Sequence, residues 1–259
     1  MNKLISYFCI IISLSIITSC SYDEMMDKLI PKEEAKFAED YLTKLRAKDF
    51  KYIKSQMSKE TLAQANDVLL EKMSNYFRKG ELLSTEIIGS QVNVFNDKWR
   101  GNFSFEYHFS DGWNLANAAF QKTEDKYEVI GLNVYQTNMS QKEFHAFTLK
   151  NKSILQYLIL LLAIIVPVFI IVTTYYCART PIPKRKWLWV IFVLLGIFSV
   201  QLNWTTGAIG IQPLSASLFG ASAVAAGTHA PWIISTSFPL GAIIFWFKRK
   251  RFIELIKNG

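Results

Sequence analysis

The chain has 259 residues, of which 51% are hydrophobic and 19% charged, a composition that favours a membrane protein with one or two domains. Its net charge of +8 does not indicate a nucleic-acid partner, because residues 21–150 carry 18 Lys/Arg against 20 Asp/Glu and the excess positive charge lies beside apolar runs. The three cysteines are Cys9, Cys20 and Cys177, so a disulfide framework is excluded within residues 21–150.

The amino terminus predicts a signal peptide over residues 1–19. Lys3 precedes an apolar run from Leu4 to Ile17, which is too short to cross a bilayer at about 20 residues per crossing. We therefore expect the residues that follow to be exported. An uncleaved anchor, or ordinary cleavage with Cys20 incidental, is the alternative.

The end of this leader, Ile17-Thr18-Ser19-Cys20, resembles the lipobox of bacterial lipoproteins, in which an aliphatic residue and two small residues precede an invariant cysteine. The resemblance implies that cleavage occurs before Cys20 and that its thiol carries a diacylglycerol. It also implies that the new amino group is open to acylation, for example with palmitate.

Residues 20–150 form the predicted exported domain, which begins with three helices. Pro31, with Glu33 and Glu34 behind it, is typical of a helix start. Ser58 is suited to cap the third helix, and Gly80 to follow its end. The apolar positions of the three helices are Phe37, Tyr41 and Leu45, then Phe50, Ile53 and Met57, then Leu62, Leu69, Met73 and Phe77.

Four strands are predicted after the helices, at 87–95, 99–109, 113–122 and 127–135. Each is separated from the next by a short polar turn, and Asp111-Gly112 is a strong hairpin signal. Successive short turns predict an antiparallel four-stranded meander, so the exported domain is expected to have an α+β fold.

The second predicted strand carries aromatic residues on one face and polar residues on the other. Glu106 and His108 lie on the polar face and are expected to face solvent. The aromatic face is either the core side of the sheet or the lining of a ligand pocket. The residues of that possible pocket are Trp99, Phe103, Phe105 and Tyr107.

Helices followed by a curved meander, over residues 31–138, resemble the nuclear-transport-factor-two-like (cystatin-like) α+β family, which includes small bacterial envelope domains. The resemblance is one of architecture and rests on no residue motif. It implies a cone with a pocket between the helices and the sheet. Such cones serve binding, isomerisation or assembly, and the fold does not choose among these functions.

Three apolar runs in the rest of the chain predict an all-α membrane domain of three transmembrane helices, at 151–176, 187–204 and 230–247. The basic loop 177–186 and the basic tail 248–259 are then both cytoplasmic, as the positive-inside rule requires. Segment 205–229 falls on the outer face as an interfacial or re-entrant segment, with a short helix opening at Pro213. A plain loop is the alternative for that segment.

This organisation favours a non-enzymatic lipoprotein of the bacterial inner membrane with its main domain on the periplasmic side. Its expected partners are membrane lipids and another envelope protein. A binding module for a small apolar or lipid ligand is one alternative. An isomerase- or hydrolase-like enzyme is the other, and it would need Glu86, Asp97, Glu106 or His108 to point into a cavity. Dispersed histidines and the lack of a glycine-rich phosphate loop predict neither a metal nor a cofactor.

Overall fold

The computed structural model describes residues 30–95, 98–123 and 126–257, so the predicted signal peptide and Cys20 lie outside the described residues. The chain divides into two units, Met1–Glu143 and Phe144–Gly259, here called the N-terminal and C-terminal domains. The N-terminal domain consists of helices followed by an antiparallel sheet, which confirms the predicted α+β class.

The prediction of three helices before the sheet is wrong at the third, which is broken at Ala65 and Asn66. Ala65 has an extended backbone, and the Asn66 side chain accepts a hydrogen bond from the backbone N–H of Leu69 at 2.8 Å, which caps a new helix. The new helix buries Leu70 instead of the predicted Leu69. The four helices are α1 (Lys32–Arg46), α2 (Phe50–Ser55), α3 (Lys59–Gln64) and α4 (Asp67–Asn75).

The four strands pair in sequence order, each antiparallel to the next, which confirms the predicted meander. Gly112 has a φ of +136°, a conformation that glycine adopts without strain, and it closes the turn between the second and third strands. A single helical turn, α5 (Gln141–Phe144), follows the sheet. The strands are β1 (Leu82–Phe95), β2 (Lys98–Phe109), β3 (Gly112–Thr123) and β4 (Lys126–Thr137).

The core between the helices and the sheet is largely aromatic. Phe103 and Phe120 stack at 5.4 Å between ring centroids, and Phe37 of α1 meets Phe120 edge-on at 4.9 Å. Tyr41 is fully buried and donates its hydroxyl hydrogen to the carbonyl oxygen of Ile53 at 3.2 Å. Burial of large rings in this geometry makes a large stabilising contribution to the domain.

A buried amide joins the end of α4 to the sheet. Asn114 on β3 is completely buried, and its Nδ2 donates to the carbonyl oxygens of Tyr76 and Tyr135, each at 2.9 Å. Its Oδ1 accepts from the backbone N–H of Arg78 at 2.8 Å. One side chain therefore bonds to three backbone groups, and it ties the end of α4 to β3 and β4.

The expectation that Glu106 faces solvent is wrong. Glu106 is only 4% exposed, because its two carboxylate oxygens accept the backbone N–H of Gln141 at 3.1 and 2.9 Å at the start of α5. The predicted alternation does place Glu106 opposite the aromatic face, but the chain after the sheet covers it. His108, on the same polar face, is half-buried and stacks on Trp113 at 3.9 Å.

The C-terminal domain contains one long apolar helix, α6 (Ile154–Arg179), of 26 residues. At 1.5 Å per residue it is about 39 Å long, and it is the one helix among the described residues that is long and apolar enough to cross a membrane. Ser153 and Gln156 form a capping box at its start. Pro167 lies inside the helix.

The prediction of three transmembrane helices is wrong for the second and third. The run 187–204 divides into a helix, α7 (Lys186–Leu194), and a strand, β5 (Leu195–Asn203). The run 230–247 divides into a strand, β8 (Trp232–Phe238), and the start of a helix, α8 (Leu240–Lys257). A uniformly apolar run has no period that separates a helix from a buried strand, so strand pairing decided these segments.

The short helix expected at Pro213, and the plain loop that was its alternative, are also not observed. Segment 205–229 instead forms two strands, β6 (Ile209–Leu218) and β7 (Ala221–Ala225), in a sheet of order β6-β5-β8-β7. Pro213 is tolerated because β6 is an edge strand and the pairing with β5 is interrupted between Ile197 and Ser199. Ser199, Ser215, Ser217 and Ser237 bond to one another through their hydroxyls across this sheet, at 2.6 to 2.8 Å.

Candidate functional site

A groove of about 690 Å³ lies between helix α1 and strands β1 and β2 of the N-terminal domain. Its floor is apolar, with Ile87 on β1 and Phe105 on β2. Its rim on α1 carries charges of both signs, which suit a ligand with polar groups at its margin and apolar groups at its centre. The rim charges are Lys32, Lys36, Glu39 and Asp40.

The four aromatic residues predicted to line a pocket all belong to or pack against the core, and one of them also borders this groove. Phe105 is 2% exposed and lines the groove floor. Phe103 and Tyr107 are buried in the aromatic core, and Trp99 is half-buried against Phe103 with ring centroids 6.5 Å apart. The ligand pocket stays a prediction, with Phe105 as the residue that the groove offers to it.

The hydroxyl of Tyr107 is a buried polar atom behind the groove floor. It has no hydrogen-bond partner among the described residues, and Thr85, which lies opposite it across β1 and β2, lines the groove. Burial raises the pKa of Tyr107, the charge of Glu39 raises it further, and the charge of Arg46 opposes the rise. This hydroxyl is therefore a neutral hydrogen-bond donor and not a nucleophile at neutral pH.

The two edges of the N-terminal sheet differ in how they are covered. At the β4 edge the segment before α3 pairs with the strand, since Ser58 N–H donates to Val129 O at 2.9 Å and Val129 N–H donates to Gln56 O at 2.7 Å. Strand β1 pairs with β2 on one side, and no described residue pairs with it on the other. Within the described part of the chain, β1 is therefore an edge strand on that side.

Residues 89–94 of the open edge strand lack the usual protection against strand addition. Natural sheets protect exposed edges with charged side chains, proline or short strands. Residues 87–94 contain no charge and no proline, and Val92 and Val94 are 37% and 67% exposed. A register shift between Ile87 and Gly89 is the one irregularity in the pairing of that stretch with β2. β1 therefore offers about six residues of regular edge beside the groove that it helps to form.

The residues named for an enzymatic alternative do not meet in a described groove. Glu86 on β1 is exposed and pairs in register with the buried Glu106 on β2, while His108 stacks on Trp113. Asp97 lies outside the described residues. No group of three or more His, Cys, Asp or Glu side chains in the described part of the chain could hold a metal ion.

In the C-terminal domain His145 approaches a hydroxyl and a second histidine. Its Nδ1 lies 3.0 Å from Thr205 Oγ1. Burial lowers the pKa of His145, and the charge of His229 lowers it further. The neutral imidazole is therefore the form that the folded domain favours.

The pKa of His145 predicts a loss of stability in mild acid. An unfolded chain binds a proton at this histidine near pH 6.5, whereas the folded chain binds it only at lower pH, so the free energy of unfolding should fall as the pH drops from about 6.5 through the folded-state pKa. An NMR titration of the detergent-solubilised protein should place the pKa of His145 below 6.5, and His229→Gln should raise it. A value of 6.5 or above in the wild type would contradict the geometry.

Comparison with known proteins adds no family to these observations. No protein-family model matches the chain, and no curated protein matches it.

Sequence reasoning missed the open edge of β1 and the burial of Glu106. The edge has a signal in the sequence, because the uncharged run 87–95 is unusual for a strand at the side of a sheet. The burial of Glu106 has none, since it depends on where the chain runs 35 residues later.

Proposed function

We propose that this chain is a non-enzymatic membrane protein of the bacterial envelope whose N-terminal domain binds an extended segment of another envelope protein. The observation that carries the proposal is the edge of β1, which is uncharged over residues 87–95 and has no strand partner among the described residues, whereas the chain's own segment pairs with the opposite edge at β4. An added strand would pair with the backbone of β1, and its side chains would reach the groove lined by Ile87 and Phe105.

The proposed location is the inner membrane, with the N-terminal domain on the periplasmic side. Helix α6 supports membrane attachment by its length and hydropathy. The leader favours export, and the cations at and beyond the end of α6, Arg179 and 184–186, favour a cytoplasmic end for that helix. A second attachment through a lipid on Cys20 would hold both ends of the N-terminal domain at the same membrane. Confinement of this kind raises the effective concentration toward partners in the same layer.

Site-specific photo-crosslinking in intact cells tests the binding edge. A photoreactive phenylalanine analogue at Val92 should form one discrete adduct, because Val92 lies on the open edge. The same analogue at Asn133, an exposed residue of β4, is the matched control and should not form that adduct. The analogue placed at Val94 should form the same adduct. In that protein the additional substitution Val92→Lys should abolish the adduct, since a charge on an edge strand opposes strand addition.

Three outcomes of this experiment would contradict the proposal. They are no adduct at Val92, the same adduct at Asn133, or an adduct unaffected by Val92→Lys. An adduct composed of two copies of this chain would replace the envelope partner by self-association through β1.

Mass spectrometry of the intact protein tests the lipid anchor. We expect the wild-type chain to be cleaved before Cys20 and to carry the mass of a diacylglycerol, with or without one further acyl group on the new amino group, and Cys20→Ala to lack both changes. Identical unacylated masses for the two proteins would make Cys20 an incidental residue, and α6 would then be the proposed attachment.

A small apolar ligand in the groove is the second candidate function. The groove volume, its apolar floor at Ile87 and Phe105, and the hydroxyl of Tyr107, which has no hydrogen-bond partner among the described residues, favour it. A bound ligand of this kind should be recovered by extraction of the purified protein with organic solvent. Phe105→Ala should reduce the amount that is recovered, whereas Tyr135→Ala, on the exposed outer edge, should not.

A further inference from the structure

An arginine is held between two aromatic rings where helices α6 and α8 of the C-terminal domain meet. The guanidinium carbon of Arg249 lies 5.0 Å from the ring centroid of Tyr176 and 5.1 Å from that of Trp246. The two rings contact each other at 5.4 Å, and Trp246 Nε1 donates to Thr173 Oγ1 at 2.9 Å. The rings and the arginine are therefore fixed in position before any ligand arrives.

Further cations are held on aromatic rings of the same helices and of α7. Arg179, at the end of α6, lies 4.5 Å from the ring centroid of Tyr175, and Lys248 lies 5.8 Å from that of Trp189 on α7. Trp189 in turn contacts Phe252 of α8 at 5.1 Å. Three helices thus bring basic and aromatic side chains to one end of the domain.

The charge at this end is almost entirely unopposed within the domain. Glu254 is the only acidic residue from Phe144 to Gly259. Arg249 contacts ring faces, and its Nε is buried without a hydrogen-bond partner among the described residues. Because Nε is enclosed, the two Nη atoms are the donors that can face an anion, and a phosphate matches such a pair of donors in two-point geometry.

We infer that Arg249, held between Tyr176 and Trp246, binds the phosphate of an anionic glycerophospholipid. The inference rests on the proposed membrane location of α6. Tyr and Trp side chains are enriched where a membrane meets water, and basic clusters beside a membrane helix attract anionic lipids. We call Arg249, Tyr176 and Trp246 the cage. The occupant is a lipid and not a free anion, because the cage lies at the end of the helix that is suited to cross the bilayer.

Native mass spectrometry of the full-length protein in detergent tests this site. Phosphatidylglycerol should bind about tenfold more tightly than phosphatidylcholine with the same acyl chains, since the second lipid has no net charge. Arg249→Gln should lower the affinity for phosphatidylglycerol by about tenfold, and Arg249→Lys should restore only part of it. Lys250→Gln removes the same charge from an exposed neighbour and should change the affinity by less than about twofold.

Equal losses in Arg249→Gln and Lys250→Gln would overturn the site in favour of general electrostatic attraction. Equal affinity of the wild type for the two lipids would overturn it as well. Competition by millimolar inorganic phosphate would indicate a free-anion site and not a lipid site. If Arg249→Gln does not fold, Arg249→Lys decides, because wild-type affinity in that variant contradicts a guanidinium-specific site. The β1 crosslinking result is independent of these measurements, so the two proposals fail separately.

Discussion

Phe120→Ala should lower the free energy of unfolding of the N-terminal domain by about 3–5 kcal/mol. Phe120 is completely buried, and its ring contacts those of Phe37, Trp99, Phe103 and Tyr127. Truncation removes the favourable free energy of transferring the ring from water into the core. It also leaves a cavity, because the strands and the helix around it cannot move together to fill the space. Domains of this size have only about 5–15 kcal/mol in total, so a substantial part of the stability should be lost.

Pulse proteolysis of the detergent-solubilised full chain in increasing urea would measure this effect. The midpoint for cleavage of the N-terminal domain should fall strongly for Phe120→Ala. Tyr135→Ala is the matched aromatic control, because Tyr135 is 55% exposed at the β4 edge of the same sheet and its loss should cost less than about 1 kcal/mol. Similar midpoints for the two variants would contradict the packing described for Phe120.

Asn114→Ala should destabilise the same domain by about 2–5 kcal/mol, although it removes only a small polar group. The substitution leaves the backbone N–H of Arg78 and the carbonyl oxygen of Tyr135 without the partner that Asn114 supplies, each at a cost of about 1–3 kcal/mol when buried. The carbonyl oxygen of Tyr76 keeps a second donor, Gln136 Nε2 at 3.0 Å, and should contribute less to the loss.

The control for Asn114 is an asparagine on the same strand with a different set of partners. Asn117 donates to the side chain of Asn102 at 2.9 Å, so Asn117→Ala breaks a bond between two side chains and should cost about 1 kcal/mol. The urea midpoint of pulse proteolysis compares the two variants directly. Equal shifts would show that the three backbone contacts of Asn114 contribute no more than one ordinary hydrogen bond.

The meander of the N-terminal domain was predictable because its signals are local. Alternating side chains define a strand, and the turn at Asp111-Gly112 fixes which residues of β2 and β3 face each other. The break between α3 and α4 was harder to predict from the sequence. Leu62, Leu69 and Met73 fit a single helix by spacing, while the Asn66 cap interrupts it and turns Leu70 inward.

The candidate site was only partly predictable for a related reason. Alternation places Phe103, Phe105 and Tyr107 on one face of β2, and all three are buried, but it does not say which of these rings borders a groove. Strand β1 is an edge because nothing in the described chain pairs with its outer side, and this is a property of the assembled sheet. The cage around Arg249 joins residues 73 positions apart and has no local pattern.

For the chain as a whole, the sequence by itself determined the α+β class of the first domain, its four strands and the helix suited to cross a membrane. Each of these follows from a period or a run length within one segment. The tertiary structure alone decided that the later apolar runs divide into strands and helices, that Glu106 is buried, and which sheet edge stays open. Those outcomes depend on pairing and packing between segments that are distant in the sequence. The free energies of these contacts exceed local helix and strand propensities, and no local sequence pattern predicts them.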